Sequence, residues 1–186
     1  KRFGIAFQNG ALYGSMTVAE NVALAILEHF PELPADVVDI MVRIKLEQVG
    51  LNGTGNLMPT EISGGMRKRD AVARAMAMEP EILFYDEPTA GLDPITTGVI
   101  VELITGIARQ QHVCTVVVTH DMAAAFRMGN RIIMLHEGKI MAEGTPEDFQ
   151  VSKDALVRQF IQGQPNGPIP FRLPGPTLEE DLIGPT

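Results

Sequence analysis

The sequence has 186 residues, 45% of them hydrophobic and 20% charged, enough for one globular domain with a core of its own. With 15 Lys and Arg against 23 Asp and Glu, the formal net charge of -8 argues against a nucleic-acid binder held mainly by phosphate contacts, although it leaves room for a local basic patch. No window approaches the roughly 18 apolar residues of a spanning helix, and the single cysteine, Cys114, excludes an intramolecular disulfide; its apolar neighbours read as buried packing in a reducing compartment.

Along the chain, Arg2-Phe3-Gly4-Ile5-Ala6-Phe7-Gln8 alternates as a strand does and stops at the turn dipeptide Asn9-Gly10, so Gln8 falls at a strand end. Apolar residues at helical spacing predict helices over 17–28 and 35–49, with Pro31 and Pro34 breaking between them. After a loop over 53–58, Ser63-Gly64-Gly65 opens an amphipathic helix over 66–78. Its inner face is Ala71, Val72, Ala75 and Met76, with Arg67, Lys68, Arg69 and Arg74 mostly off that face. Ile82-Leu83-Phe84-Tyr85 reads as a short buried parallel strand that delivers Asp86 and Glu87 at its C-terminal end. Asp93-Pro94 supplies a cap and a first-turn proline for a helix to about residue 110, with Val99, Ile100, Leu103, Ile104 and Ile107 inward. A strand over 113–119 ends at His120; a helix over 122–128 and a strand over 131–136 follow, and Glu137-Gly138 turns into a hairpin partner over 139–143.

Strands alternating with helices make a mostly parallel α/β sheet, whose ligands bind at the carboxyl ends of the strands, where Asp86, Glu87 and His120 all fall. A last amphipathic helix is expected over 146–162. The tail 163–186, rich in Pro and Gly and carrying Glu179, Glu180 and Asp181, has no periodicity for a core.

Each chemical signal is open when taken alone. Asp86-Glu87 suits Mg²⁺-assisted phosphoryl chemistry, one carboxylate holding the metal through water and the other activating a water, and equally suits a helix-capping acidic pair. Ser63-Gly64-Gly65 presents backbone N–H groups and a hydroxyl to a phosphate, or is an ordinary turn. His120 at a strand end is a functional imidazole or a structural one.

The order of the signals is more specific. Gln8, then Ile62-Ser63-Gly64-Gly65-Met66, then Ile82-Leu83-Phe84-Tyr85-Asp86-Glu87-Pro88-Thr89, Gly91-Leu92-Asp93-Pro94 and Val118-Thr119-His120-Asp121 closely resemble the ATP-binding-cassette ATPases. The resemblance implies an α/β P-loop NTPase fold with a helical subdomain. It divides the chain into an ATPase domain over 1–162 and an extension over 163–186. The domain comprises a helical and signature part over about 9–80, a catalytic-core part over about 81–145 and a C-terminal helix over about 146–162.

It also implies ATP and Mg²⁺ as cofactors. Glu87 would be the catalytic carboxylate and His120 the switch histidine, with Gln8 sensing the metal and the membrane partner. Asp86 would hold Mg²⁺, partly through water and together with Gln8, while Ser63, Gly64, Gly65, Met66 and the D-loop Asp93 contact nucleotide across a head-to-tail homodimer. The signature departs from the common form at Ile62 and Met66. A phosphate loop of the form GxxxxGKS/T is absent, since the only Gly-Lys pair, Gly138-Lys139, runs into Ile140. In the family that loop precedes the Q-loop, so a chain starting at Lys1 is expected to be incomplete at its N-terminus and to bind ATP poorly alone.

Phe7-Gln8-Asn9-Gly10-Ala11-Leu12, the SGGM signature, Asp93-Pro94-Ile95-Thr96 and Gly167-Pro168-Ile169-Pro170-Phe171-Arg172 narrow the resemblance to the Mla-type phospholipid-transport ATPases of Gram-negative bacteria, also linked to organic-solvent tolerance. That implies a peripheral ATPase on the cytoplasmic face of the inner membrane. Its partners would be a membrane permease, a small STAS-domain protein and a periplasmic lipid-binding subunit, with no nucleic acid. By composition the tail reads as disordered; by resemblance, Phe171, Leu173, Leu178, Leu182 and Ile183 would anchor it on a neighbouring ATPase subunit. The competing readings are a soluble cassette ATPase acting on nucleic acid or ribosomes, and a non-catalytic regulatory fragment.

Overall fold

A computed structural model describes residues 2–170. The tail anchors Phe171, Leu173, Leu178, Leu182 and Ile183 lie outside the described residues. The chain forms two compact units that divide between Met128 and Gly129.

The first unit runs β1 (Phe3–Ala6), α1 (Val18–Leu27), α2 (Ala35–Gln48), α3 (Gly64–Ala75), β2 (Ile82–Asp86), α4 (Pro94–Gln110), β3 (Cys114–Val118) and α5 (Met122–Met128). Its three strands form a parallel sheet with β2 in the centre, and the register pairs Ala6 with Tyr85 and Tyr85 with Val117. All three carboxyl ends therefore finish side by side. Local sequence sets the helix starts: Thr17 and Glu20 form a reciprocal capping box on α1, and Asp93 accepts the first amides of α4 ahead of Pro94.

The core draws Val18, Val22 and Ile26 from α1, Val42 and Leu46 from α2, Val72, Ala73 and Met76 from α3 and its end, Leu83 and Tyr85 from β2, and Ile100 and Ile104 from α4. Full burial of each of the larger of these side chains is worth about 1.5–3 kcal/mol. The fully buried Asn21 satisfies itself by accepting the Tyr13 amide and donating to the carbonyls of Tyr13, Met16 and Thr17, which pins the loop before α1. At Gly4 a Cβ would lie 2.1 Å from the Ala75 carbonyl oxygen, so only glycine lets the end of α3 close onto β1.

Two expectations about this unit are corrected. Val99 is 47% exposed, and Val101 is buried instead, because the inner stripe of α4 is centred on Ile100, Ile104 and Ile107 and takes in the position after Ile100, not the one before it. Cys114 is exposed, not buried. It lies on an edge strand, and Val116 and Val118, which share its face, are exposed with it, as are Phe3, Ile5 and Phe7 on the other edge strand and just beyond it.

The second unit holds β4 (Ile132–His136), β5 (Lys139–Gly144), α6 (Pro146–Gln150) and α7 (Ala155–Gln162). β4 pairs antiparallel with β5 as the expected hairpin and forms a separate two-stranded sheet. Glu137 and Gly138 both take positive φ, as a tight two-residue hairpin turn requires. The single helix expected over 146–162 is two helices. Asp154 accepts the amides of Leu156 and Val157 and so starts α7 afresh, its side chain outcompeting continuation of the helix. The buried Gln159 side chain then accepts from the Ile169 amide and donates to the Ile169 carbonyl, holding the first part of the tail as a neighbouring strand would.

Candidate active site

The carboxyl edge of the parallel sheet gathers three chain segments. Gln8 is exposed in the turn two residues past β1, Asp86 is exposed as the last residue of β2, and Thr119 and His120 follow β3. Between them sits Glu87, whose backbone is in the left-handed region at φ 45°. A non-glycine residue there costs on the order of 1–3 kcal/mol and persists only where its surroundings enforce it. Here the Glu87 amide donates to the Val118 carbonyl at 2.9 Å, and the Glu87 carbonyl accepts from the Ala90 amide at 3.2 Å and from Lys68 Nζ at 2.7 Å.

That backbone turns the Glu87 carboxylate toward the end of β3. Oε1 accepts from the His120 amide at 3.1 Å and lies 2.7 Å from His120 Nδ1, while Oε2 accepts from Thr119 Oγ1 at 3.3 Å. A carboxylate only accepts, so Nδ1 carries the proton and Nε2 points away from the pair. The hydrogen bond that Nδ1 donates to the carboxylate, then the carboxylate's charge, raises the His120 pKa above the ordinary histidine value. The imidazole itself is largely exposed and open to a ligand. Lys68 is pulled the other way: burial lowers its pKa, and the charges of Glu87 and Asp86 oppose that shift.

A second cluster forms where α3 and α4 begin. Ser63 caps α3, its hydroxyl accepting the Met66 amide at 3.2 Å, while Met66 packs its own side chain against the core. Asp93 accepts the Ile95 and Thr96 amides at 3.0 Å each and also the Thr96 hydroxyl, which together hold its carboxyl below the ordinary aspartate value, the hydroxyl contributing most. A Cβ on Gly65 would lie 2.6 Å from Thr96 Cγ2, so the two helix starts touch only because position 65 is glycine. The loop that follows Gln8 is tied to α3 as well, since Arg74 donates to the carbonyls of Gly10 and Ala11 at 2.7 Å each.

The nine residues singled out from sequence therefore fall in two places. Gln8, Asp86, Glu87 and His120 share the sheet edge, with Glu87 and His120 in direct contact; Ser63, Gly64, Gly65, Met66 and Asp93 make the junction of α3 and α4. Sequence reasoning did not single out Thr119, Lys68 or Arg74. Thr119 stood inside a quoted motif, and Lys68 and Arg74 gave no signal beyond the polar side of an amphipathic helix.

Among the described residues, no three His, Cys, Asp or Glu side chains cluster as a metal cage. One exposed carboxylate at a strand end nevertheless fits Mg²⁺, which usually takes one or two carboxylates and completes its shell with water and substrate phosphates.

A parallel sheet with an acidic pair at the end of its central strand, a histidine after the next strand and a serine-capped glycine helix start is the arrangement of an ATP-binding-cassette domain. A family model described as ABC transporter matches residues 1–90. The chain is 44% identical over 183 residues to the Escherichia coli intermembrane phospholipid transport system ATP-binding protein MlaF, covering 98% of this chain and 68% of that protein. The Haemophilus influenzae protein of the same name is 40% identical, with 98% and 69% covered. Among solved structures, a dimeric ATP-binding cassette in a post-hydrolysis state bound to ADP and Pi superposes with a TM-score of 0.70 at 32% identity, covering 78% of this chain and 63% of that one. The chain thus spans just under two thirds of that solved cassette. It belongs to the ABC transporter ATP-binding family, in the group of the MlaF proteins.

Proposed function

We propose that this chain is the ATP-hydrolysing subunit of an ABC system that moves phospholipid between the inner and outer membranes and energises a membrane permease. The observation that carries the catalytic part is Glu87, held in an otherwise unfavourable backbone conformation so that its carboxylate meets Thr119 and His120 beyond the adjacent strand. A carboxylate fixed in this way accepts a proton from an attacking water, and general-base participation of this kind is typically worth about 10²- to 10⁴-fold in rate. His120, with Nδ1 committed to Glu87, has Nε2 free to face a phosphate. Asp86 and Gln8 would hold Mg²⁺, which when bound neutralises charge developing on the phosphates.

Ser63, Gly64, Gly65 and Met66, with Asp93 beside them, would act on the nucleotide of a second copy in a head-to-tail homodimer, to which the C-terminal extension adds contacts. The names of the relatives support a transport system of several subunits. Within it we assign a permease, a small STAS-domain protein and a periplasmic lipid-binding subunit as partners, and the cytoplasmic face of the inner membrane as the location. No helix among the described residues is long and apolar enough to cross a membrane.

The test is ATP turnover by the complete protein in membranes with its partners. Glu87→Gln should lower kcat by about 10²-fold or more while ATP binding persists. Unaltered turnover removes Glu87 from the role, and co-purification with ribosomes in place of a permease overturns the transport reading.

A further inference from the structure

We propose that Lys68 is a positioning residue for Glu87, and that it makes α3 and the catalytic carboxylate move as one piece. This rests on the ATPase reading above. The left-handed conformation of Glu87 has to be held, and its ties come from three places: β3 through the Val118 carbonyl, its own turn through the Ala90 amide, and α3 through Lys68. The Lys68 contact is the shortest at 2.7 Å, and its donor is charged.

The helix that offers this ammonium is itself fixed at both ends. Its last turn closes onto β1 at Gly4, and its first turn closes onto α4 at Gly65. Lys68 thus transfers the position of a rigid helix to a strained peptide unit. Without it, the Glu87 carbonyl keeps only the longer Ala90 contact, the backbone can leave the left-handed region, and the carboxylate swings off Thr119 and His120. Because Ser63 caps α3, displacement of that serine would be felt at Glu87 through a single side chain.

The variants are Lys68→Met, which keeps the stem and removes the donor, and Lys68→Arg, which restores an N–H donor. In the complete protein with its partners, Lys68→Met should lower kcat roughly 10- to 100-fold, as expected for misplacement of a reacting group. The KM for ATP and the thermal midpoint should stay put, and Lys68→Arg should recover most of the rate. A Lys68→Met enzyme with wild-type kcat, or one whose loss of rate follows loss of stability and is not rescued by arginine, overturns the proposal.

The titration of His120 by NMR, read without nucleotide, judges the link separately from turnover. Lys68→Met should bring its midpoint down toward the ordinary histidine value as Glu87 departs, and an unchanged midpoint overturns the inference. Absence of turnover in the wild-type protein would instead defeat the ATPase reading and leave the His120 measurement to decide the contact.

Discussion

Replacing Asp70 by Asn should change the pH dependence of stability more than any other single substitution in α3. Asp70 is completely buried, and neither carboxylate oxygen has a hydrogen-bond partner. Burial pushes its pKa from 3.8 up to about 7, with the Arg74 charge pulling the other way. In the unfolded chain the group ionises near 3.8, so between that pH and 7 the native state holds a proton that the unfolded state has lost, and stability falls as pH rises through the window. At 1.36 kcal/mol per pKa unit the full effect is about 4 kcal/mol, reached above pH 7. Between pH 5 and pH 8 the wild-type chain should therefore lose about 2–3 kcal/mol relative to Asp70→Asn, whose amide cannot ionise and pays any desolvation penalty equally at both pH values. Urea unfolding of both proteins at the two pH values measures this as a difference of differences, so other titrating groups cancel. Parallel pH profiles would refute the reasoning and mean that Asp70 finds a partner or water in solution.

Tyr85→Phe should hold or raise stability, by up to about 1–3 kcal/mol, because it removes a buried hydroxyl that has no partner; a clear loss in urea unfolding would show that the hydroxyl is satisfied. His120 should titrate above the ordinary histidine value, its ion pair with Glu87 present at low pH and lost as pH rises through the raised pKa. Its NMR midpoint should fall in Glu87→Gln, and identical midpoints would rule out the contact. Gly65→Ala drives a methyl into Thr96 Cγ2 and should destabilise by about 1–3 kcal/mol. Adding Thr96→Ser, which deletes that methyl and keeps the hydroxyl on Asp93, should recover most of the loss; no recovery places the strain elsewhere.

The site was legible where its chemistry is carried by short local patterns. An apolar run ending in Asp86-Glu87, a serine ahead of two glycines and Asp93 ahead of Pro94 each announce a strand end or a helix start within a few residues. What joins these pieces was not legible. Lys68 reaches Glu87, Thr119 reaches the same residue from the next strand, and Arg74 reaches Gly10 and Ala11 near the start of the chain. In sequence the two basic residues look like the solvated side of an amphipathic helix.

Helical periodicity marks a buried stripe only where a helix has one wet face. α3 has little of one, because it packs against α1, α2, α4 and β1, and so Asp70 is buried alongside Ala71, Val72 and Ala73. The opposite failure affected β3, where a continuous apolar run suggested cover on both faces but Cys114, Val116 and Val118 face outward. At the C-terminal end, one amphipathic pattern concealed two helices because the restart depends on the side chain of Asp154, a capping interaction that hydrophobic spacing does not register.

The exposed position of Cys114 turns the molecule into its own gauge of association. It is the single cysteine of the sequence, and it sits on the same open strand face as Val116 and Val118. Whatever lies over that face, another segment or another protein, shields one thiol that nothing else in the sequence can mimic. The rate at which a small thiol reagent modifies Cys114 therefore reports the cover on this sheet directly, without any engineered label.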